Sequence, residues 1–411
     1  MALPTTPRRD SAAHSSASHS SADFEKDRDL LRAILSSAVT HGASDIHIRA
    51  EAQPVLRVSG DLWPLEMDPL TPEQAESMVL AAMDSERERE EFLTVHECDF
   101  ALADPGVGRF RVNAYRARGG AAMVLRHVKE DIPSIEDLGL PPIINKIAGL
   151  ERGMILVTGV TGAGKSSTMA AMINWMNRNK RLHIVTLEDP IEFLHRDDQC
   201  SITQRDIGTD TDSFESGLRS VLRQDPDVIL IGEMRDKTTI ETALKAAETG
   251  HLVISTLHTK NAVQTIARII AIFEPSEQEM IRVRLSESLQ AVASQRLVQK
   301  REGGRVAAME VMLMTSTIRD CLRDPERMEE IHDLIEEGRS HYGSQTFDQH
   351  LMELVKSNEV EFQIAKAAAN NPSDFDLKMN MLSAATGGGV TGAGPQGMQG
   401  LADEMTNIVG D

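Results

Sequence analysis

With 411 residues the chain has room for two or three domains, each large enough to bury its own core, and its 41% apolar content suits a globular protein. A net charge of −20 opposes tracking along duplex nucleic acid, where cations must neutralise phosphates, and 3% aromatic residues leave no stacking platform for single strands, so no nucleic-acid partner is expected. No apolar run approaches the roughly 20 residues that cross a bilayer, so direct membrane insertion is not expected either.

Residues 1–23 are small and polar without an apolar face and read as a disordered arm. Its Arg8-Arg9 pair is followed by Ser, Ala and His rather than an apolar run, which argues against export. Ordered chain is expected from Phe24, where LLRAILSSAVTHG has helical spacing and Gly42 supplies a stop. Strand-like SDIHIRA and PVLRVSG follow, then a helix near 71–92, then CDFAL, GRFRVNAYRA and AAMVLRHV. Together they predict an α+β domain over 24–130. Three prolines mark 131–142 as a linker. From 143 to 370 apolar strands alternate with helices, which predicts an α/β domain with a parallel sheet, mostly helical beyond 276. Residues 371–411 read as a flexible Gly-rich tail. Cys98, Cys200 and Cys321 form no C-x-x-C pair, so no zinc or disulfide framework is expected and a reducing cytoplasm suits them.

Residues 159–167, GVTGAGKSS, follow the strand-like GMILVT and open a helical run, completing G-x-x-x-x-G-K-[ST]. In such a loop Gly159, Thr161, Gly162, Ala163 and Gly164 turn backbone N–H groups toward phosphates at a helix N-terminus. Lys165 reaches the β- and γ-phosphates, Ser166 offers a hydroxyl to Mg²⁺, and Ser167 completes the first turn. ATP and Mg²⁺ are therefore the expected cofactors. GVTGAG recurs at 389–394, but Pro395 and Gly-rich surroundings replace lysine and helix, and that copy reads as inert.

Two acidic segments complete the chemistry. In IVTLEDPIEF, Glu188 stands just past an apolar strand, and in DVILIGEMRD, Glu233 stands just past another. Neighbouring parallel strands end at one edge, so both acids should face the same phosphates. Glu233 is the candidate to orient or deprotonate the attacking water, with Glu188 supporting Mg²⁺ or that water. A solvated strand-end charge or a helix cap is the plainer alternative for each. His258, at the carboxyl end of HLVISTLHT, is placed to contact the γ-phosphate, with a structural histidine as the alternative.

Together these motifs resemble the type IV pilus retraction ATPases, the PilT/PilU group of the secretion ATPase superfamily. GVTGAGKSS is similar to their Walker A motif, VTLEDPIEF to the Asp box, LRQDPDVILIGEMRD to Walker B, and TGHLVISTLHTKNAVQTIARI to the His box. HGASDIHIR and GRFRVNAY resemble the N-terminal domain, and SESLQAVASQRLV the region after the His box, so the likeness spans about 27–370. It implies a homo-hexamer of PAS-like N-terminal and RecA-like ATPase domains that powers pilus retraction and twitching motility. Such a ring is cytoplasmic and peripheral to the inner membrane, docked on a pilus platform protein. It also implies Glu188 as the Asp-box acid, Glu233 as the catalytic glutamate, His258 as the His-box residue, and Arg111 and Arg126 as the γ-phosphate arginines, with Arg109, Arg116 and Arg118 close enough to substitute. The four-cysteine module of extension-type relatives is missing, which favours retraction. The retraction signature AIRNLIRE aligns with TIRDCLRD, keeping Ile318, Arg319 and Arg323. Its departures leave open an accessory subunit that assists a second retraction ATPase, or a related secretion or DNA-transfer ATPase.

Overall fold

Phe110, Val112 and Ala114 are buried and alternate with exposed Arg111 and Asn113, a two-residue period that gives a strand one apolar and one polar face. The computed structural model describes residues 21–58, 60–128 and 132–385, which divide into two units, the first up to residue 131 together with Glu192–Leu194 and the second made of the rest. The arm before residue 21 and the second GVTGAG lie outside the described residues.

The first unit runs α1 (Ser21–Thr40), β1 (Asp45–Arg49), β2 (Val55–Val58), β3 (Asp61–Pro64), α2 (Pro72–Ala82), α3 (Glu86–Val95), β4 (Glu97–Asp104), β5 (Gly108–Ala117) and β6 (Gly120–Val128). Its strands form one antiparallel sheet in the order β3-β2-β1-β6-β5-β4. Leu31, Ile34, Leu35 and Ala38 recur at helical spacing on α1 and share a core with Met78, Val79 and Ala82 of α2 and the apolar sheet face. The helix expected near 71–92 is two helices, because Ser85 and Glu88 form a second capping box that restarts the chain after Thr71 and Gln74 have started α2.

The second unit runs α4 (Ile143–Ala148), β7 (Gly153–Thr158), α5 (Lys165–Asn179), β8 (His183–Glu188), β9 (Ser201–Asp206), α6 (Phe214–Val221), β10 (Val228–Ile231), α7 (Lys237–Glu248), β11 (Leu252–Leu257), α8 (Ala262–Ala271) and α9 (Gln278–Ser288). It continues with β12 (Leu289–Gln299), β13 (Arg305–Leu313), α10 (Ser316–Arg323), α11 (Glu330–Glu337), α12 (Arg339–Tyr342), α13 (Phe347–Lys356), α14 (Phe362–Ala368) and α15 (Pro372–Ala385). Seven strands lie in the order β13-β12-β7-β11-β10-β8-β9, parallel except for β13 at the edge. Every residue of β7, β10 and β11 is buried, as parallel strands covered on both faces require.

The stretch beyond 276 is mostly helical, as expected, but it also holds two strands: β12 and β13 pair over nine residues, Ala291–Gln299 against Arg305–Leu313. LQAVASQRLVQ and RVAAMEVML are rich in Ala, Leu, Met and Gln, which favour helix locally, but the ladder offered by β7 overrides that preference. Residues 372–385, expected to belong to a flexible tail, are instead helical, with Phe375 and Met379 buried one turn apart against Leu351 and Phe347.

TIRDCLRD lies on α10. Ile318, Cys321 and Leu322 are fully buried, and Arg323 donates to Ser286 Oγ (2.9 Å) and Glu287 (3.3 Å), fastening α10 to α9.

His350 of α13 is 5% exposed, and its Nδ1 accepts from the Met309 N–H at 2.9 Å. Burial pushes its pKa down from 6.5 to about 4. A lowered histidine pKa stabilises the fold above 6.5, and that contribution is lost as pH falls from 6.5 toward 4. Denaturant titrations at pH 7 and 4.5 should show His350→Gln losing less stability on acidification than wild type, by about 2.5 kcal/mol. Equal losses would remove His350 as the cause.

Candidate active site

β7, β11, β10 and β8 run parallel, so Thr158, Leu257, Ile231 and Glu188 end at one edge, and the loops that follow carry the predicted residues. After β7 the chain turns through Gly159 at φ +146, where a Cβ would stand 2.5 Å from the Gln295 carbonyl oxygen. Only glycine fits there. Gly164, at φ +90, is the N-cap of α5, so Lys165, Ser166 and Ser167 form the first turn and their N–H groups face the loop. Lys165 is buried, and its Nζ donates to the carbonyls of Gly159 (3.1 Å) and Val160 (3.3 Å), across the concavity formed by Thr161, Gly162 and Ala163.

Glu233 follows β10. Its backbone is pinned on both sides, by Gly232 N–H on Leu187 O (2.8 Å) and Met234 N–H on Thr256 O (3.2 Å). Its carboxylate is 14% exposed and holds Arg235 at 2.5 Å and His258 Nε2 at 3.5 Å. The other ring nitrogen of His258 lies 3.5 Å from Thr161 Oγ1. His258 therefore bridges the phosphate loop and Glu233. His251, at the opposite end of β11, is held by the Ala246 carbonyl at 3.0 Å and takes no part.

Glu188 is brought to the same edge. Its carboxylate accepts from Thr186 Oγ1 (2.6 Å) and Gln204 Nε2 (3.1 Å). Its strand is three places from β7, about 14 Å at the usual ~4.8 Å spacing, whereas β10 is two places away. Distance alone favours Glu233 over Glu188 for contact with the reacting phosphate.

Arg111 and Arg126 lie in the first unit, directly opposite each other on β5 and β6. Arg126 Nε donates to Asp45 at 2.9 Å, and its side chain stays 68% exposed. Burial opposes ionisation of Asp45, but the Ser44 hydroxyl and Arg126 outweigh it and hold the carboxyl below its ordinary value. Arg116 is engaged elsewhere, with Glu76 (2.7 Å) and over the Phe92 ring (5.0 Å), and Arg118 sits in the tight turn before β6 at φ 54.

Two contributors escaped sequence reasoning. Gln295 of β12 is 2% exposed, donates to the Ala163 carbonyl (2.6 Å) and accepts from Thr168 Oγ1 (3.0 Å), clamping the loop to the first turns of α5. It lies within the family-like SESLQAVASQRLV, but its partners are 127 and 132 residues away. Arg235 stands two residues past Glu233 in GEMRD, a basic side chain that local spacing does not distinguish from a solvated one.

Residues 20–385 match the family model described as type II/IV secretion system protein. Over 342 residues the chain is 43% identical to the type IV pilus retraction ATPase PilT of Pseudomonas aeruginosa, covering 83% of this chain and 98% of that protein. The chain belongs to the type II/IV secretion ATPase family. Within that family it is also 41% identical over 362 residues to the type IV pilus ATPase PilU of the same organism, covering 87% of this chain and 92% of that one. A crystal structure of the pilus retraction motor PilT with bound ADP matches with a TM-score of 0.78 and 40% identity, over 85% of this chain and 98% of that one. This secretion ATPase is thus a PilT/PilU-type enzyme with a phosphate loop ready for nucleotide. The Ser166 hydroxyl and the carboxylates at the strand edge are oxygen donors, the set Mg²⁺ takes when nucleotide phosphates and water complete its shell. Among the described residues no cluster of three or more His, Cys, Asp or Glu could hold a metal ion.

Proposed function

We propose that this secretion ATPase is a hexameric motor that hydrolyses ATP to power type IV pilus retraction, drawing pilin out of the pilus base. The observation that carries the reading is likeness to PilT along nearly all of PilT's length, joined to an intact Lys165, Glu233 and His258 arrangement. Residues 24–130 serve as a PAS-like domain, 131–142 as its linker, and 143–370 as a RecA-like ATPase domain. The ring works from the cytoplasm, attached through protein contacts to an inner-membrane platform protein.

In the hydrolysis step Lys165 leaves the Gly159 and Val160 carbonyls for the β- and γ-phosphates, a stronger, charge-assisted partner. Ser166, with support from Glu188, would hold Mg²⁺, which would supply charge neutralisation on the phosphates. Glu233 orients the attacking water and draws off its proton. His258, already between Thr161 and Glu233, reports the γ-phosphate to the catalytic carboxylate. Arg111 and Arg126 supply the charge that an arginine finger contributes, worth roughly 10³–10⁵ in rate.

Cells lacking the chain should carry excess surface pili and lose twitching, with both restored by the wild-type gene. Normal pili and motility would reject the reading. A second reading, an accessory PilU-like subunit, is favoured by the nearly equal identity to PilU and by the substitutions in TIRDCLRD. Retraction in a strain holding this chain as its sole retraction ATPase decides between them.

A further inference from the structure

The β12–β13 hairpin reaches the active site from the side that the motifs do not cover. Ser294 Oγ accepts from Thr158 Oγ1 at 2.8 Å, at the last residue of β7 before the phosphate loop. Gln295, the next residue, holds Ala163 and Thr168. Directly across the ladder from Ser294 stands Glu310. Its side chain is 1% exposed, and its Oε1 accepts from the Ala262 backbone N–H at 2.8 Å.

Ala262 is the first residue of α8, and only Thr259, Lys260 and Asn261 separate it from His258. The first N–H groups of a helix have no partner within it. Asn261 satisfies one, at Gln264, and Glu310 satisfies another from a different strand. A carboxylate is well matched to the positive end of a helix, and buried hydrogen bonds to charged groups are among the stronger ones. Burial holds the Glu310 carboxyl above its ordinary value, a rise that the Ala262 N–H, His332 and Arg296 offset only in part and to which Asp348 adds. An ordinary surface cap would need neither this burial nor this reach of 48 residues.

We propose that Glu310 is a positioning residue for hydrolysis: by tying the start of α8 to the hairpin that also clamps the phosphate loop, it holds His258 in register between Thr161 and Glu233. This rests on the reading of His258 as a contributor to turnover. The hairpin then serves as a common strut, with Ser294 and Gln295 fixing the loop and Glu310 fixing the segment that carries the histidine.

The experiment is a double-mutant cycle on the full chain, measuring steady-state ATPase kinetics and hydrogen exchange over residues 258–266. Glu310→Ala should lower kcat about tenfold with little change in KM, and raise exchange at the start of α8. Glu310→Gln, which keeps an acceptor for the Ala262 N–H, should recover most of that loss. Combined with His258→Ala, Glu310→Ala should cost nothing further, because both act through one side chain. Losses that multiply, or a loss confined to thermal stability, would overturn the proposal while leaving His258 in place. A His258→Ala variant as fast as wild type would overturn the reading of His258 and this proposal with it. If Glu310→Ala does not fold, Glu310→Met keeps the volume without the acceptor and enters the same cycle.

Discussion

Glu233→Gln is expected to lower ATP turnover by about 10²–10⁴ while nucleotide still binds. The amide keeps the shape of the side chain and an oxygen toward His258 and Arg235, so the loop and its lysine are undisturbed. What it loses is basicity at a carboxylate that is nearly buried and linked through His258 to the phosphate loop. Single-turnover hydrolysis beside binding of a fluorescent ATP analogue separates the two effects. A fall in kcat with Kd retained supports the assignment; an unchanged kcat transfers the role to Glu188 or to another acid. The Arg235 pair, 2.5 Å from the same carboxylate, has an exposed guanidinium and is worth little to stability.

Lys165→Ala should abolish turnover and weaken ATP binding by roughly 10- to 100-fold, the scale of one lost charge-assisted hydrogen bond to phosphate. Lys165 also bonds the Gly159 and Val160 carbonyls, so a small loss of stability accompanies the substitution. Circular dichroism with isothermal calorimetry distinguishes a folded chain that does not bind from one that is unfolded. Retained turnover would remove the phosphate loop from the account.

The parts of the site that the sequence makes legible are those whose chemistry is contiguous. Gly159 to Ser167 carries its own strand, turn and helix signals, and Glu233 and His258 each follow an apolar strand, so a parallel sheet brings them to one edge without knowledge of its order. The strand order β7-β11-β10-β8 was not legible, and it is what places His258 beside Glu233. Gln295 and Glu310 were missed because each acts on a partner 48 or more residues away, from strands whose Ala- and Met-rich composition reads as helix. The retraction-type signature reads as an amphipathic helix for a physical reason: Ile318 and Leu322 are core residues, and Arg323 is a fastener to α9.

The most direct measurement is the number of surface pili on cells whose only copy of this chain carries Glu233→Gln. Excess pili are expected, as in cells without the chain, because a motor that binds nucleotide but does not hydrolyse it has no power stroke for retraction. Pili at wild-type number, with the variant shown to be inactive in solution, would contradict it, since retraction would then proceed without hydrolysis at this site.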